Sequence, residues 1–157
     1  MNVNKADFLD KYLSEIEYYI NFEDLSNSSV SSVGVAWHLD HSLLTINQIY
    51  NELAASNPVD YNSSFSIPKT MSLTINFIPR GFAQSPSAVR PADSILKDDI
   101  ILHLKTAREH TKDFMELEKN AYFDHPYFGK LNRSHTMRFL QVHTHHHLKI
   151  IRDILDE

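Results

Sequence analysis

The sequence predicts an all-α protein, a four-helix bundle with a long crossover connection between the second and third helices. Three observations carry this. Apolar residues recur at three- and four-residue spacing over four long segments. Only three glycines occur in 157 residues, and five of the six prolines, Pro58, Pro68, Pro79, Pro86 and Pro91, are confined to one stretch. Glycine and proline interrupt helices, so their scarcity outside that stretch leaves the periodic segments unbroken. The length suits one domain spanning residues 1–157 with one core.

The first helix is expected from Lys5 to Phe22, where Phe8, Leu9, Tyr12, Leu13, Ile16, Tyr19 and Ile20 share a face. Ser31 or Ser32 can cap a second helix that runs to about Ser56. The proline-containing stretch 57–94 follows. Within it Leu73, Ile75 and Phe77 alternate with polar residues, a pattern that fits a short strand or a helical turn. Ser94, with Asp98 and Asp99 in the first turn, starts a third helix to about Lys119, whose stripe is Ile100, Ile101, Leu104, Ala107, Phe114 and Leu117. "YFDHPYFGKLN" turns the chain, and Ser134 caps a last helix that runs nearly to the C-terminus.

Composition excludes several kinds of chemistry. The chain has no cysteine, so it offers neither a disulfide nor a thiolate ligand or nucleophile, and a metal would have to be held by histidine and oxygen. The net charge of -5 argues against nucleic acid or an anionic membrane as partner. The N-terminus lacks a basic lead and an apolar run, and no stretch reaches the ~20 apolar residues of a membrane span, so a cytoplasmic location is expected.

Histidine is the residue type in excess, ten in all, with His143 and His145 to His147 close together in "LQVHTHHHLKIIRDIL". On a helical wheel with Leu140 at zero, His143 falls at about 300° and His147 at about 340°, inside the arc of Met137, Phe139, Leu140, Leu148 and Ile151. His146 lies at the edge of that arc, and His145 lies with Arg138 and Arg152 on the polar side. Two inward imidazoles at i and i+4 can share one cation, whereas two buried ones without partners would each cost about 1–3 kcal/mol. On the second helix, with Leu39 at zero, His38 lies at about 260°, flanking the core, and His41 at about 200°, nearly opposite it. His38 is therefore the preferred third ligand, with His41 and His146 as alternates. Position 144 is Thr, so the H-E-x-x-H pattern of zinc proteases is absent. His103, His110 and His135 are expected at the surface; Trp37, at about 160° on the second helix, is either an exposed contact or covered by the crossover.

Four stretches, "VAWHLDHSLLTI", "FIPRGFAQSPSAVRP", "HPYFGKLN" and "FLQVHTHHHLKII", together resemble the DinB-like, or YfiT-like, superfamily of metal-dependent proteins, in a branch catalogued as a domain of unknown function. The resemblance runs from about residue 30 to residue 155. It implies a four-helix bundle with a crossover and a divalent metal, nickel or zinc, held by one histidine of the second helix and a pair on the fourth. The family's H-x-x-H-H pattern falls on His143, His146 and His147, with the first and last as ligands. Its second-helix histidine, followed four residues on by a small polar residue, falls on His38 and Ser42; a shifted register selects His41. The chain departs from the family where relatives read His-Leu-Arg-Gln and it reads His147, Leu148, Lys149, Ile150.

Two functions follow from the resemblance. One is a metal-dependent enzyme, a hydrolase or a transferase using a low-molecular-weight thiol cofactor, acting on a small-molecule substrate. The other is a non-catalytic, stress-related or scaffold bundle with a structural metal. A homodimer is expected in either case, with Trp37 as a candidate contact. Arg80 is a candidate for a substrate anion, and His125 either approaches the site or caps the turn.

Overall fold

The computed structural model describes residues 7–63, 78–80 and 84–157. Among these, four α-helices pack together beside a two-stranded hairpin: α1 Asp7–Tyr19, α2 Val35–Ala55, α3 Lys97–Asp113, β1 Tyr122–His125, β2 Gly129–Asn132 and α4 Arg133–Leu155. Short 3-10 turns follow α1 (Ile20–Phe22) and α3 (Phe114–Glu116), and two more, Pro58–Asp60 and Ser87–Val89, lie in the connection between α2 and α3. The all-α bundle is as the periodicity predicts. The possible strand around Leu73, Ile75 and Phe77 lies outside the described residues.

Helices α1 and α2 each pack against both α3 and α4 and touch one another less, so they occupy one diagonal of the bundle. The core is Leu9, Leu13 and Ile16 of α1, Leu39, Leu43, Ile46 and Leu53 of α2, Ile100, Leu104 and Ala107 of α3, and Leu140, Leu148 and Ile151 of α4. Ile101, assigned to the α3 stripe by its spacing, is instead exposed beside Leu102. No helix among the described residues is long and apolar enough to cross a membrane.

The helix starts differ from those expected. Helix α2 begins after Gly34, and the carbonyls of Leu25 and Glu23 accept the N–H groups of Val35 (3.0 Å) and Ala36 (3.1 Å). The preceding loop thus takes over what a serine cap would do. A Cβ at position 34 would stand 3.0 Å from the Leu25 carbonyl oxygen, which is why glycine sits there. Ser31 and Ser32 lie outside the helix, and Ser31 turns towards His38. Helix α3 is entered at Lys97 rather than Ser94 and has no side-chain cap; Asp98 and Asp99 complement its N-terminal dipole. Helix α4 is capped by Asn132, whose side chain accepts from His135 N at 3.1 Å, two residues earlier than the expected Ser134.

"YFDHPYFGKLN" is more than a turn. Phe123 pairs with Leu131 and His125 with Gly129, leaving a three-residue loop, Pro126 to Phe128. Gly129 sits at φ 67°, the left-handed position that closes such a loop. Phe123, Phe128 and Leu131 are buried against the bundle, so the hairpin is anchored by its apolar side chains.

The cap assignment is testable. Replacing Asn132 with Ala is expected to cost about 1 kcal/mol in urea denaturation, more than Ser134→Ala. A larger loss at Ser134 would restore the expected cap.

Candidate metal centre

Helix α2 is enclosed on almost every side along its first three turns, and His38, Asp40, His41, Ser42, Thr45 and Asn47 are all buried. Ser42 and Thr45 return their hydroxyls to the α2 carbonyls of His38 (2.8 Å) and His41 (2.7 Å). Asp40 and Asn47 face α3. There Asp40 accepts from His103 Nδ1 at 2.7 Å, while Asn47 donates to the His103 carbonyl at 3.1 Å and lies 3.1 Å from His110 Nδ1. His110 stacks on Tyr50 at 4.1 Å. His103 and His110 are thus half-buried members of an α2–α3 seam rather than free surface residues.

The two remaining histidines of α2 face α4. His41, His143 and His147 bring one ring nitrogen each to within 4.8 Å of one another. His41 and His147 are buried and His143 is half-buried. The i, i+4 pair on α4 is the one expected from its inward direction. The α2 member of the group is the alternate His41, not His38. The wheel placed His41 opposite the core on the premise that α2 has one buried face. In fact the side carrying His41 is covered by the connection, whose Val89 carbonyl lies 2.7 Å from His41 Nδ1.

That contact assigns protons. A carbonyl only accepts, so His41 carries its hydrogen on Nδ1, and the neutral ring presents an Nε2 lone pair to His143 Nε2 at 3.2 Å. Two nitrogens bound at about 2.0–2.1 Å to one tetrahedral zinc lie about 3.3 Å apart, so this spacing accommodates a shared cation.

His38 stands one step behind. Its Nδ1 lies 2.9 Å from His147 Nδ1, and its Nε2 lies 3.0 Å from Ser31 Oγ. With His147 Nε2 as a ligand atom, His147 Nδ1–H donates to His38 Nδ1 and His38 Nε2–H donates to Ser31. Each ring then carries one proton and each contact one donor, an arrangement that orients a ligating imidazole. His143 is positioned by packing, with ring centroids 5.4 Å from Phe139, 5.0 Å from His41 and 4.6 Å from His147; its Nδ1 is buried without a hydrogen-bond partner.

The other candidates separate clearly. His146 packs edge-on against His147 at 5.1 Å and faces the same cavity, whereas His145 turns to Tyr12 of α1. Trp37, half-buried, stacks on His41 at 4.7 Å and lines the cavity. Arg80 forms an ion pair with Asp153 of α4 at the rim, so its charge is already matched. His125 caps the hairpin loop, its Nδ1 accepting from Tyr127 N and Phe128 N.

The triad lines a cavity of about 1390 Å³ together with residues of the 84–90 segment and of the hairpin. This exceeds the roughly 300–1,000 Å³ of ordinary small-molecule sites. Burial pushes every imidazole here towards its neutral, ligating form. His125 is held down to about 4 by burial alone, His38 and His146 to about 4 by burial together with neighbouring histidines and Arg80, and His143 and His147 lie well below the ordinary 6.5 through burial and their histidine neighbours. His41 is lowered by burial too, opposed by its bond to Val89 and by Asp40.

Residues 78–153 match the model of a family described as "Protein of unknown function (DUF1569)". The matched segment contains Arg80, Val89, the hairpin, His143 and His147, while α2 with His38 and His41 lies outside it. No curated protein and no solved structure gives a significant match.

The lowered imidazoles set a pH dependence for the metal-free protein. Between pH 6.5 and about 4 the unfolded chain binds protons on these rings that the folded chain does not. Stability is therefore full above about pH 7 and falls as pH drops through that window, by about 1.4 kcal/mol per pH unit for each such proton. Urea midpoints at pH 7.5, 6 and 5 measure it, and a flat profile would contradict the neutral cluster.

Proposed function

We propose that the protein is a DinB-like metal-dependent enzyme that holds a divalent cation, zinc or nickel, on His41, His143 and His147 and acts on a small molecule entering the cavity they line. The observation that carries this reading is the convergence of three neutral imidazoles from two helices in the lining of a large cavity. A structural ion is normally enclosed by four protein ligands; here the group among the described residues has three, which is the pattern of a site that keeps a position for substrate.

A cation so held supplies Lewis acidity, polarising an oxygen or sulfur donor that enters the cavity. The chain's own residues do the rest. Val89 and His38 orient the rings of His41 and His147, Trp37 covers His41, and the apolar walls restrict water. A transferase reaction would need its thiol from a diffusible cofactor, since the chain has no cysteine. A hydrolase reaction needs only water.

Elemental analysis of the untagged protein is expected to find about one ion per chain, and added zinc should raise the melting temperature. His41→Ala, His143→Ala and His147→Ala should each bring metal content close to zero. His38→Ala should keep the ion with roughly 10- to 100-fold weaker affinity, because it removes an orienting partner and not a ligand. Full metal content in His41→Ala together with loss in His38→Ala would transfer the ligand role to His38; full content in all four variants would refute the site.

A further inference from the structure

His125 has an edge that the hairpin does not use. Its Nδ1 accepts two backbone N–H bonds, from Tyr127 at 3.1 Å and Phe128 at 3.2 Å, so that nitrogen is unprotonated and the neutral ring carries its hydrogen on Nε2. Burial favours the neutral ring. The ring plane is fixed as well, parallel to Phe128 at 4.3 Å and edge-on to Phe139 at 4.8 Å. Phe139 in turn lies 5.4 Å from the ring of His143. His125 therefore lines the same cavity as the triad, one aromatic side chain away from it. Its Nε2–H has no hydrogen-bond partner among the described residues.

The surroundings narrow what such a donor would meet. Trp37, Ile49, Phe123, Phe128, Phe139 and Ile150 make the walls largely apolar. The charged side chains among the described lining residues are Glu52, Asp124, Arg80 and Arg90. Arg80 is paired with Asp153, and Arg90 donates to the Ser85 carbonyl at 2.9 Å. With Arg80 paired, carboxylates and a guanidinium both remain among the described lining residues, so neither sign alone defines an ionic site.

The geometry points to a ligand class: an uncharged, largely apolar molecule with a carbonyl-type oxygen, which accepts a hydrogen bond from His125 Nε2–H while its body lies against the aromatic wall. This deepens the metal-site reading and rests on it only for what happens to the bound oxygen; the binding itself is a property of the hairpin and the cavity.

The test uses a shape-matched pair of probes, acetophenone and α-methylstyrene, in which the carbonyl oxygen is replaced by a methylene. Dissociation constants are measured by ligand-observed NMR on the full chain, after chelator treatment and again with zinc, and fluorescence of Trp37, the single tryptophan, reports that the probe is in the cavity. In His125→Asn the amide oxygen can take over the acceptor role towards the loop N–H groups, while the outward donor is lost. The expected result is a fall of roughly five- to tenfold in the acetophenone-to-α-methylstyrene affinity ratio in His125→Asn, in both metal states, with hydrocarbon affinity and melting temperature retained. An unchanged ratio, or no binding of either probe to the wild type, overturns the proposal. A preference for the ketone that needs zinc and survives His125→Asn would assign the oxygen to the ion, refuting this inference and leaving the metal reading intact. A His125-dependent ratio in a protein that binds no zinc would do the reverse. Should His125→Asn not fold, ring ¹⁵N correlations of the wild type decide: the His125 Nε2–H resonance must shift with acetophenone and stay in place with α-methylstyrene.

Discussion

The burial of α2 is the constraint on which the rest depends. A helix with one solvent face can leave its polar residues there, but α2 is covered by α3, by α4 and by the connecting segment, so each polar side chain on its first three turns needs a partner inside the protein. Asp40 and Asn47 find theirs on α3, Ser42 and Thr45 on their own helix, and His38 and His41 on α4 and the connection. An unpartnered buried polar group costs about 1–3 kcal/mol, so these contacts act together to fix the rotation of α2 about its axis. The seam with α3 thereby determines how His41 is presented on the opposite side. The site is built from the consequences of packing a polar helix in the middle of a bundle.

The helical architecture was legible because amphipathic periodicity is a local property. In α4 the apolar arc predicted from spacing corresponds to residues that are buried, and the inward direction of His143 and His147 came with it. Helix ends were less legible. The starts of α2 and α3 are satisfied without a side-chain cap, at α2 by loop carbonyls, and that leaves serines such as Ser31, Ser32 and Ser94 looking like caps they are not. The hairpin went unread as strand because four-residue strands carry almost no periodic signal. The glycine that closes its loop, Gly129 after "HPYF", was the cue available.

The centre was half legible for a related reason. A helical wheel assigns direction relative to one apolar stripe, and α4 has one. Helix α2 has apolar residues at its centre and polar residues buried on both flanks, so the angle of His41 said little about its surroundings. What covers that flank arrives from about fifty residues away along the chain, through the Val89 carbonyl. Arg80 likewise meets a neighbour distant in sequence, the Asp153 carboxylate of α4.

The hydrogen bond from His41 to Val89 ends on a main-chain oxygen, and this has a consequence for how the centre can vary among related chains. A side-chain acceptor would leave a signature, an aspartate or glutamate kept at one position. A carbonyl leaves none: any residue at position 89 offers the same oxygen, provided the 3-10 turn Ser87–Val89 holds its shape. The hydrogen bond therefore restricts backbone conformation at position 89, while burial alone asks for an apolar side chain there. Inheritance of the orienting contact would be visible in the length and turn geometry of the connection, in the spacing of its prolines more than in any letter aligned with the histidine it serves.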